Sequence, residues 1–245
     1  MSRPATVHPV ELAQAYRLIN TGASVFITSA HGAQRDVMAC AWNMALDFSP
    51  AKLAVCIDKH TFTRQLVDSS GEFALCVPRA AQADLLTTVG STSARDTAQH
   101  DKFSAYGIDH FAGTHVAAPL VADCIGWLEC KVIATPAVQD AHDLFIAEAV
   151  AAWADERAFA HGKYLPLGDT PPAWRTLHHL GAGNFLVPGE QLKAKTLASL
   201  VPQPGWARRR LCQNRSAPFA YPLGCHLTTR AAIHSLQNQS HEQTP

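Results

Sequence analysis

Hydroxyl-bearing and cationic residues cluster where an apolar, strand-like run gives way to a helix-like pattern. The cluster comprises Lys59, His60, Thr61 and Thr63, directly after the apolar run 52–57. The start of a helix presents unpaired N–H groups and a partial positive charge, a combination that binds anions. Two hydroxyls, an ammonium group and an imidazole would add donors around such an anion. The pattern indicates a phosphate-binding helix start, although Ser and Thr also cap many helices that bind no ligand.

A second polar segment could complete the same anion site. Residues 90–96 read Gly-Ser-Thr-Ser-Ala-Arg-Asp, and residues 101–103 read Asp-Lys-Phe. The two stretches add several hydroxyls and two cations to the donors at residues 59–63. They strengthen the interpretation of residues 59–63 as one wall of a phosphate site.

Two other constellations are weaker candidates for chemistry. His178 and His179 are adjacent, but thirteen histidines make chance pairs common and no HExxH or Cys/His spacing surrounds them. Metal binding is therefore disfavoured, and contact with a substrate is the alternative. Residues 181–183 read Gly-Ala-Gly, yet Leu186 stands where a dinucleotide-binding fingerprint needs its third glycine, so a turn is predicted instead. No triad-like arrangement is found, and no catalytic side chain is predicted.

The seven cysteines have irregular spacing and form no CxxC motif. Most of them lie in apolar runs, which predicts buried, reduced thiols that act as small hydrophobic residues. A nucleophilic role for Cys40 is disfavoured because no activating base or cation lies beside it in the sequence.

Composition restricts the class of protein. The apolar fraction of 47% supports a substantial core, and 20 basic residues balance 20 acidic ones, so nothing indicates nucleic-acid binding. No apolar run approaches the ~20 residues of a membrane span. The first twelve residues lack the apolar segment of a secretory signal. A cytoplasmic protein without membrane contact is expected.

Periodicity predicts mostly short strands with a few helices. The predicted strands are 24–29, 37–42, 52–57, 72–77, 123–135, 142–152 and 183–187, and the predicted helices are 9–19, 61–70, 80–89 and 101–106. Residues 31–36, 48–50 and 139–141 are predicted turns, and 90–99 a loop. The order lacks the alternation of a Rossmann sheet and favours an antiparallel barrel-type fold. A domain over residues 1–195 is expected, followed by an irregular, poorly ordered extension over 196–245, where periodicity fails.

Several segments together resemble the flavin reductase-like, FMN-binding split-barrel family. They are VMACAWNMALDFSPAKLAVCI (37–57), KHTFT (59–63), GEFALCVP (71–78), GSTSARDTAQHDKF (90–103), CIGWLECKV (124–132) and HHLGAGNFLVPGE (178–190). The resemblance spans residues 9–195. Ala94 is a departure, because many members carry glycine there, which leaves the backbone freer.

The resemblance implies a mainly β protein with a few short helices, built as a six-stranded antiparallel split β-barrel. It also implies a homodimer with FMN near the subunit interface. The residues implied to contact the ring are Met38, Ala39, Cys40, Ala41, Trp42 and Cys56. Those implied to hold the phosphate are Lys59, His60, Thr61 and Thr63, with Ser93 and Lys102 as helpers, and His178 or His179 would contact flavin or nicotinamide.

The activity implied is that of an NAD(P)H:flavin oxidoreductase, in which the flavin accepts hydride and the protein supplies orientation and electrostatics. A partner monooxygenase or another acceptor would then receive the electrons. The alternatives are a flavoredoxin-like electron carrier that turns over nicotinamide poorly, and a non-catalytic or haem-binding barrel on the same scaffold.

Overall fold

A computed structural model describes residues 22–194, whose centre is one antiparallel sheet. The strands are β1 (Val25–His31), β2 (Gln34–Cys40), β3 (Asn43–Phe48), β4 (Ala51–Cys56), β5 (Glu72–Val77), β6 (His110–Phe111), β7 (Leu120–Val121), β8 (Gly126–Ile133), β9 (Leu144–Ala154), β10 (Phe159–Ala160), β11 (Lys163–Tyr164), β12 (His178–Gly181) and β13 (Asn184–Leu186). The α-helices are α1 (Phe62–Ser70), α2 (Ala83–Ser91), α3 (Lys102–Ala105) and α4 (Pro136–His142). The predicted mainly β class with short helices is confirmed.

The main sheet has seven strands in the order β2-β1-β5-β8-β9-β4-β3. The family resemblance implied six strands, and the additional strand is β3, which the sequence prediction passed over between the second strand and the turn at 48–50. Five of the six β3 residues are exposed, so the strand lacks a buried, strongly apolar face. In the described part of the chain the edge strands β2 and β3 are not paired with each other, so the sheet is not a closed barrel.

Alternation along the strands divides the core into two layers. Phe26 packs with Phe103 and Trp127 on one face of the sheet. Its neighbour Ile27 packs with Phe73 and Phe145 on the other. Successive strand residues point to opposite faces, so both faces of the central strands are covered.

Helix α1 begins and ends where local chemistry predicts. The Thr61 side chain caps its N-terminus, and Gly71 ends it with a left-handed φ of 69°. The helix packs Leu66 against Phe62 and Ala94, while Val67 joins the core of the sheet. These contacts fix the first turn of α1 beside β2.

Other element boundaries differ from the prediction. Helix α4 occupies the predicted turn at 139–141, because Pro136 suits a helix start and Asp143 ends the helix with φ 54°. Strand β9 therefore begins at Leu144 rather than at residue 142. The predicted helix 9–19 and the extension 196–245 lie outside the described residues. Within 22–194, no helix is both long and apolar enough to cross a membrane.

Candidate functional site

A wide cavity of about 780 Å³ lies along the exposed edge of β2. All six residues predicted to contact the ring line it, namely Met38, Ala39, Cys40, Ala41, Trp42 and Cys56. The remaining lining residues are Asp58, His142, Asp143, His179, Leu180, Gly181, Ala182 and Asn184. The cavity thus has the edge of β2 on one side, and residues from the end of α4, the segment after β4 and the β12–β13 hairpin form the rest of its lining.

A narrow cavity of about 350 Å³ lies at the N-terminus of α1. Its walls include His60, Thr61, Phe62 and Thr63 from the helix start and residues 90–94, of which 90 and 91 end helix α2 rather than belonging to the predicted loop. Met38, Ala39 and Asp58 line both the narrow and the wide cavity. A third cavity of about 360 Å³ also includes Ala39, together with Gly90 and Ser91. We call the three cavities together the β2 cleft.

Small side chains keep the β2 cleft open. A Cβ placed on Gly90 would lie 3.0 Å from the Cβ of Ala39, closer than ordinary van der Waals contact. Glycine at 90 therefore lets the end of α2 approach β2. Ala39 and Ala41 leave space beside the strand backbone that larger side chains would fill.

The two threonine hydroxyls already have protein partners. Thr61 Oγ1 donates to the carbonyl of Asp58 at 2.8 Å and accepts from the Arg64 N–H at 3.1 Å. Thr63 Oγ1 is buried and donates to Asp36 Oδ2 at 2.6 Å. The sequence prediction gave both hydroxyls to the phosphate, whereas in the structure they brace the helix start.

Lys102 is likewise directed into the protein. Its buried Nζ donates to the carbonyls of Val37 and Val89 at 2.9 and 3.0 Å and lies 3.6 Å from Asp36 Oδ1. Burial raises the pKa of Asp36, against the lowering effects of Lys102 and Thr63. Burial also lowers the pKa of Lys102, against the effect of Asp36. The lysine thereby ties β2 to the end of α2 and forms part of the wall of the narrow cavity, together with Asp36.

The rest of the polar segment supplies a cation that was not among the predicted site residues. Arg95 Nη1 donates to the His60 carbonyl at 2.7 Å, and its guanidinium lies 5.7 Å from the Phe62 ring. Ser93 lines the narrow cavity and accepts the Arg95 N–H at 3.2 Å. Lys59 is exposed and lies outside the lining of the β2 cleft. Ala94 is buried with a φ that is not positive, so this backbone has no need for glycine.

The two cysteines in the wide cavity differ in burial. Cys40 Sγ lies 3.3 Å from the Trp42 carbonyl, and burial raises the pKa of its thiol to about 12. Burial also raises the pKa of Cys56, which is more exposed. The geometry gives Cys40 no activating partner and agrees with a role as a small side chain under the cavity.

The β12–β13 hairpin closes one side of the cleft and separates the two neighbouring histidines. His179 lines both the wide and the third cavity, and its ring lies 5.4 Å from that of Phe185. His178 does not line these cavities, and its Nε2 lies 2.9 Å from Thr176 Oγ1. Strand alternation accounts for the separation. At the end of β12 and in the turn that follows, residues 181–183 all have positive φ and border the cleft.

The polar residues of the wide cavity were not among the predicted site residues. Asp58, His142 and Asp143 line the wide cavity, although His142 and Asp143 stand more than eighty positions along the chain from Asp58. The Ile57 N–H donates to the Asp143 carbonyl at 2.9 Å, which brings the two segments together. Because that pairing is non-local, no sequence signal indicated it.

Comparison with known proteins supplies the family context. The model of the family described as "Flavin reductase like domain" matches residues 16–170. The chain is 39% identical over 189 residues to YddH, an uncharacterized protein of Escherichia coli K12, covering 76% of this chain and 97% of that protein.

Solved structures with the same fold include two flavin-related proteins. One is the crystal structure of an FMN-binding domain of a flavin reductases-like enzyme from Shewanella baltica OS155. It has 42% identity and a TM-score of 0.68, covering 76% of this chain and 96% of that one. The other is flavoredoxin of Desulfovibrio vulgaris (Miyazaki F), with 20% identity and a TM-score of 0.62, covering 81% of this chain and 100% of that one.

Proposed function

Because the chain belongs to the flavin reductase-like domain family, we propose that it binds FMN and transfers hydride from NADH or NADPH to flavin. The observation that carries the proposal is the β2 cleft, whose wide part joins a narrow part at a helix N-terminus through Met38 and Ala39. This shape suits a flat ring system connected to a phosphate. The FMN-binding domain from Shewanella baltica, at 42% identity, supports the choice of ligand.

The residues around the narrow cavity fit a phosphate. The N–H groups of Phe62 and Thr63 belong to the first turn of α1, which has no intrahelical acceptors for them. The Arg95 guanidinium lies beside this turn, since it bonds the His60 carbonyl. We assign direct phosphate binding to these amides, His60 and Ser93, and we assign to Arg95, which is not part of the cavity lining, a charge-assisted contact with the phosphate from the exposed side. Thr61, Thr63 and Lys102 stabilise the walls of the narrow cavity, and Lys59 adds long-range positive charge.

The edge of β2 fits the polar rim of the ring. Lys102 donates to the Val37 carbonyl, so the backbone groups of Val37 point away from β1, the neighbouring strand of the sheet. Backbone groups of alternate strand residues face the same side, so the N–H and C=O of Ala39 would face the cleft. When bound, FMN would supply the hydride acceptor, so that the nicotinamide is oxidised and the flavin reduced by two electrons. The protein orients both molecules, and His179 would border the nicotinamide.

A homodimer of the chain is part of the proposal. Trp42, Met44 and Phe48 are more than half exposed along the edge of the sheet. An apolar cavity of about 530 Å³ lies beside them, lined by Leu46, Ile146 and their neighbours. Exposed apolar area of this kind favours association. A homodimer through this face would also place Trp42 between the interface and the β2 cleft, and light scattering would measure its mass.

A spectrum of the purified protein tests the proposed function. The protein should bind FMN and show a flavin absorbance band, and stopped-flow mixing with NADH or NADPH should bleach that band. Binding without bleaching would instead identify an electron carrier. Absence of FMN binding at micromolar concentration would refute the assignment of the β2 cleft. A partner monooxygenase or a free flavin would be the electron acceptor.

A further inference from the structure

Arg64 is a buried cation that lies outside the cleft but contacts the segments that build its polar wall. Its side chain is 7% exposed, and Nη1 donates to the Ile57 carbonyl at 3.2 Å and to Asp143 Oδ1 at 3.0 Å. Nη2 donates to the Gln139 carbonyl at 3.4 Å. The guanidinium also lies 4.6 Å from the Phe145 ring. One side chain of α1 thus joins the end of β4 to the end of α4.

These contacts determine the shape of what we call the Asp143 corner, formed by Ile57, Asp58, His142 and Asp143. Asp143 has a left-handed φ of 54°, an uncommon backbone conformation for a residue other than glycine. Its carbonyl accepts from Ile57, its N–H donates to Gln139, and its carboxylate accepts from Arg64. Asp58, which follows Ile57 in the chain, and His142, which precedes Asp143, line the wide cavity together with Asp143.

We propose that Arg64 is a positioning residue for the electron donor, which acts by fixing the Asp143 corner against the wide cavity. The inference rests on the proposed function, in which the ring contacts β2 and Cys56, and it assigns the nicotinamide to the part of the wide cavity lined by His179 and the Asp143 corner. Arg64 does not line the β2 cleft, but His142 and Asp143 of the corner it contacts line the wide cavity and not the narrow one, so its side chain acts on the wide part of the cleft rather than on the phosphate part.

The geometry of the guanidinium explains why arginine stands here. Its Nε pairs with Asp68 at 2.9 Å, while Nη1 and Nη2 reach separate acceptors on two segments. A lysine ammonium is a point charge and has no planar fork, so it would hold only part of this set. Arg64→Lys should therefore behave as an intermediate between the native protein and Arg64→Met.

Kinetics with the FMN-loaded protein test the proposal. Arg64→Met should raise the KM for NADH or NADPH by about three- to tenfold while kcat changes by less than about twofold, as expected when binding is lost equally in the ground and transition states. The Kd for FMN, measured by fluorescence quenching, should stay within about twofold of the native value. An unchanged KM, or a parallel loss of FMN affinity, would overturn the proposal.

Hydrogen exchange of the FMN-free protein provides a readout that does not depend on turnover. Arg64→Met should speed exchange of peptides that cover residues 56–60 and 136–146, because the Ile57 and Asp143 amides open more often. Exchange in residues 66–70 of α1, where Arg64 loses only its pair with the Asp68 side chain, should increase less than exchange at the corner. Equal acceleration in α1 would show that Arg64 only stabilises its own helix and would refute the positioning role.

Matched variants keep the test informative if Arg64→Met folds poorly. Asp143→Ala removes the partner at the corner and should reproduce the rise in KM, whereas Asp68→Asn removes the partner within α1 and should leave KM within about twofold. Equal effects of the two variants would contradict the proposal. If the native protein does not bind FMN or is not bleached by nicotinamide, the proposed function fails. If it does both and only the variant pattern is absent, this inference fails alone.

Discussion

Replacing Arg95 with glutamine should weaken FMN binding while leaving riboflavin binding unchanged. Arg95 lies beside the first turn of α1 through its bond to the His60 carbonyl, 2.7 Å away. A hydrogen bond to a charged group is worth about 1.5–3 kcal/mol, and because this side chain is exposed to solvent we expect a smaller loss, about 1–2 kcal/mol. That loss corresponds to a rise in the FMN Kd of about five- to thirtyfold.

Fluorescence titration of the apoprotein with FMN and with riboflavin measures the effect. Riboflavin lacks the phosphate, so its Kd should be the same for both proteins. Lys163→Gln is a control that removes one exposed positive charge from a strand outside the β2 cleft. Raising the salt concentration should reduce the difference between the native protein and Arg95→Gln, since exposed charges are screened. Equal weakening of FMN and riboflavin, or no weakening of FMN, would refute the phosphate assignment.

Three further predictions concern residues that line or support the β2 cleft. Lys102→Met would leave Asp36 buried and uncompensated, so the free energy of unfolding in urea should fall by about 3–5 kcal/mol, and adding Asp36→Leu should recover much of it. Gly90→Ala would press a methyl group against Ala39 and should lower that free energy by about 1–3 kcal/mol, with weaker FMN binding in the same sample. The pKa of about 12 means that Cys40 is almost entirely a thiol at pH 8, so iodoacetamide should leave its peptide unmodified; rapid labelling in the native protein would contradict this.

Helix α1 was predictable because its limits depend on neighbours in the chain. The Thr61 hydroxyl reaches an amide three residues ahead, and Gly71 takes a backbone conformation that other residues adopt at a cost. A strand at residues 37–42 was also predicted from the apolar run there, although β2 begins at Gln34, inside the predicted turn, and ends at Cys40. The ring-contacting residues were implied by the family resemblance rather than by a local pattern. Strand β3 was missed because its partners lie on β4 and its own side chains are exposed.

The roles of the polar residues were less predictable than their positions. Thr63 and Lys102 look like phosphate donors in the sequence, but each faces Asp36, 27 and 66 positions away. Burial makes that pairing necessary, because an isolated charge in the core would be costly. Nothing within a short window of sequence reveals which residue supplies the compensating charge.

Local hydrogen bonding and side-chain alternation thus determined where the helix start and the strand edge lie along this chain. Those interactions join residues that are close together in the chain, so they can be recognised in the sequence. Whether a polar group faces a ligand or the core depended on packing among β2, α1, α2 and α3. The same holds for the Asp143 corner, where Arg64 meets a segment 79 residues away. Such contacts arise only when the sheet forms, because loop closure brings together groups that no local pattern connects.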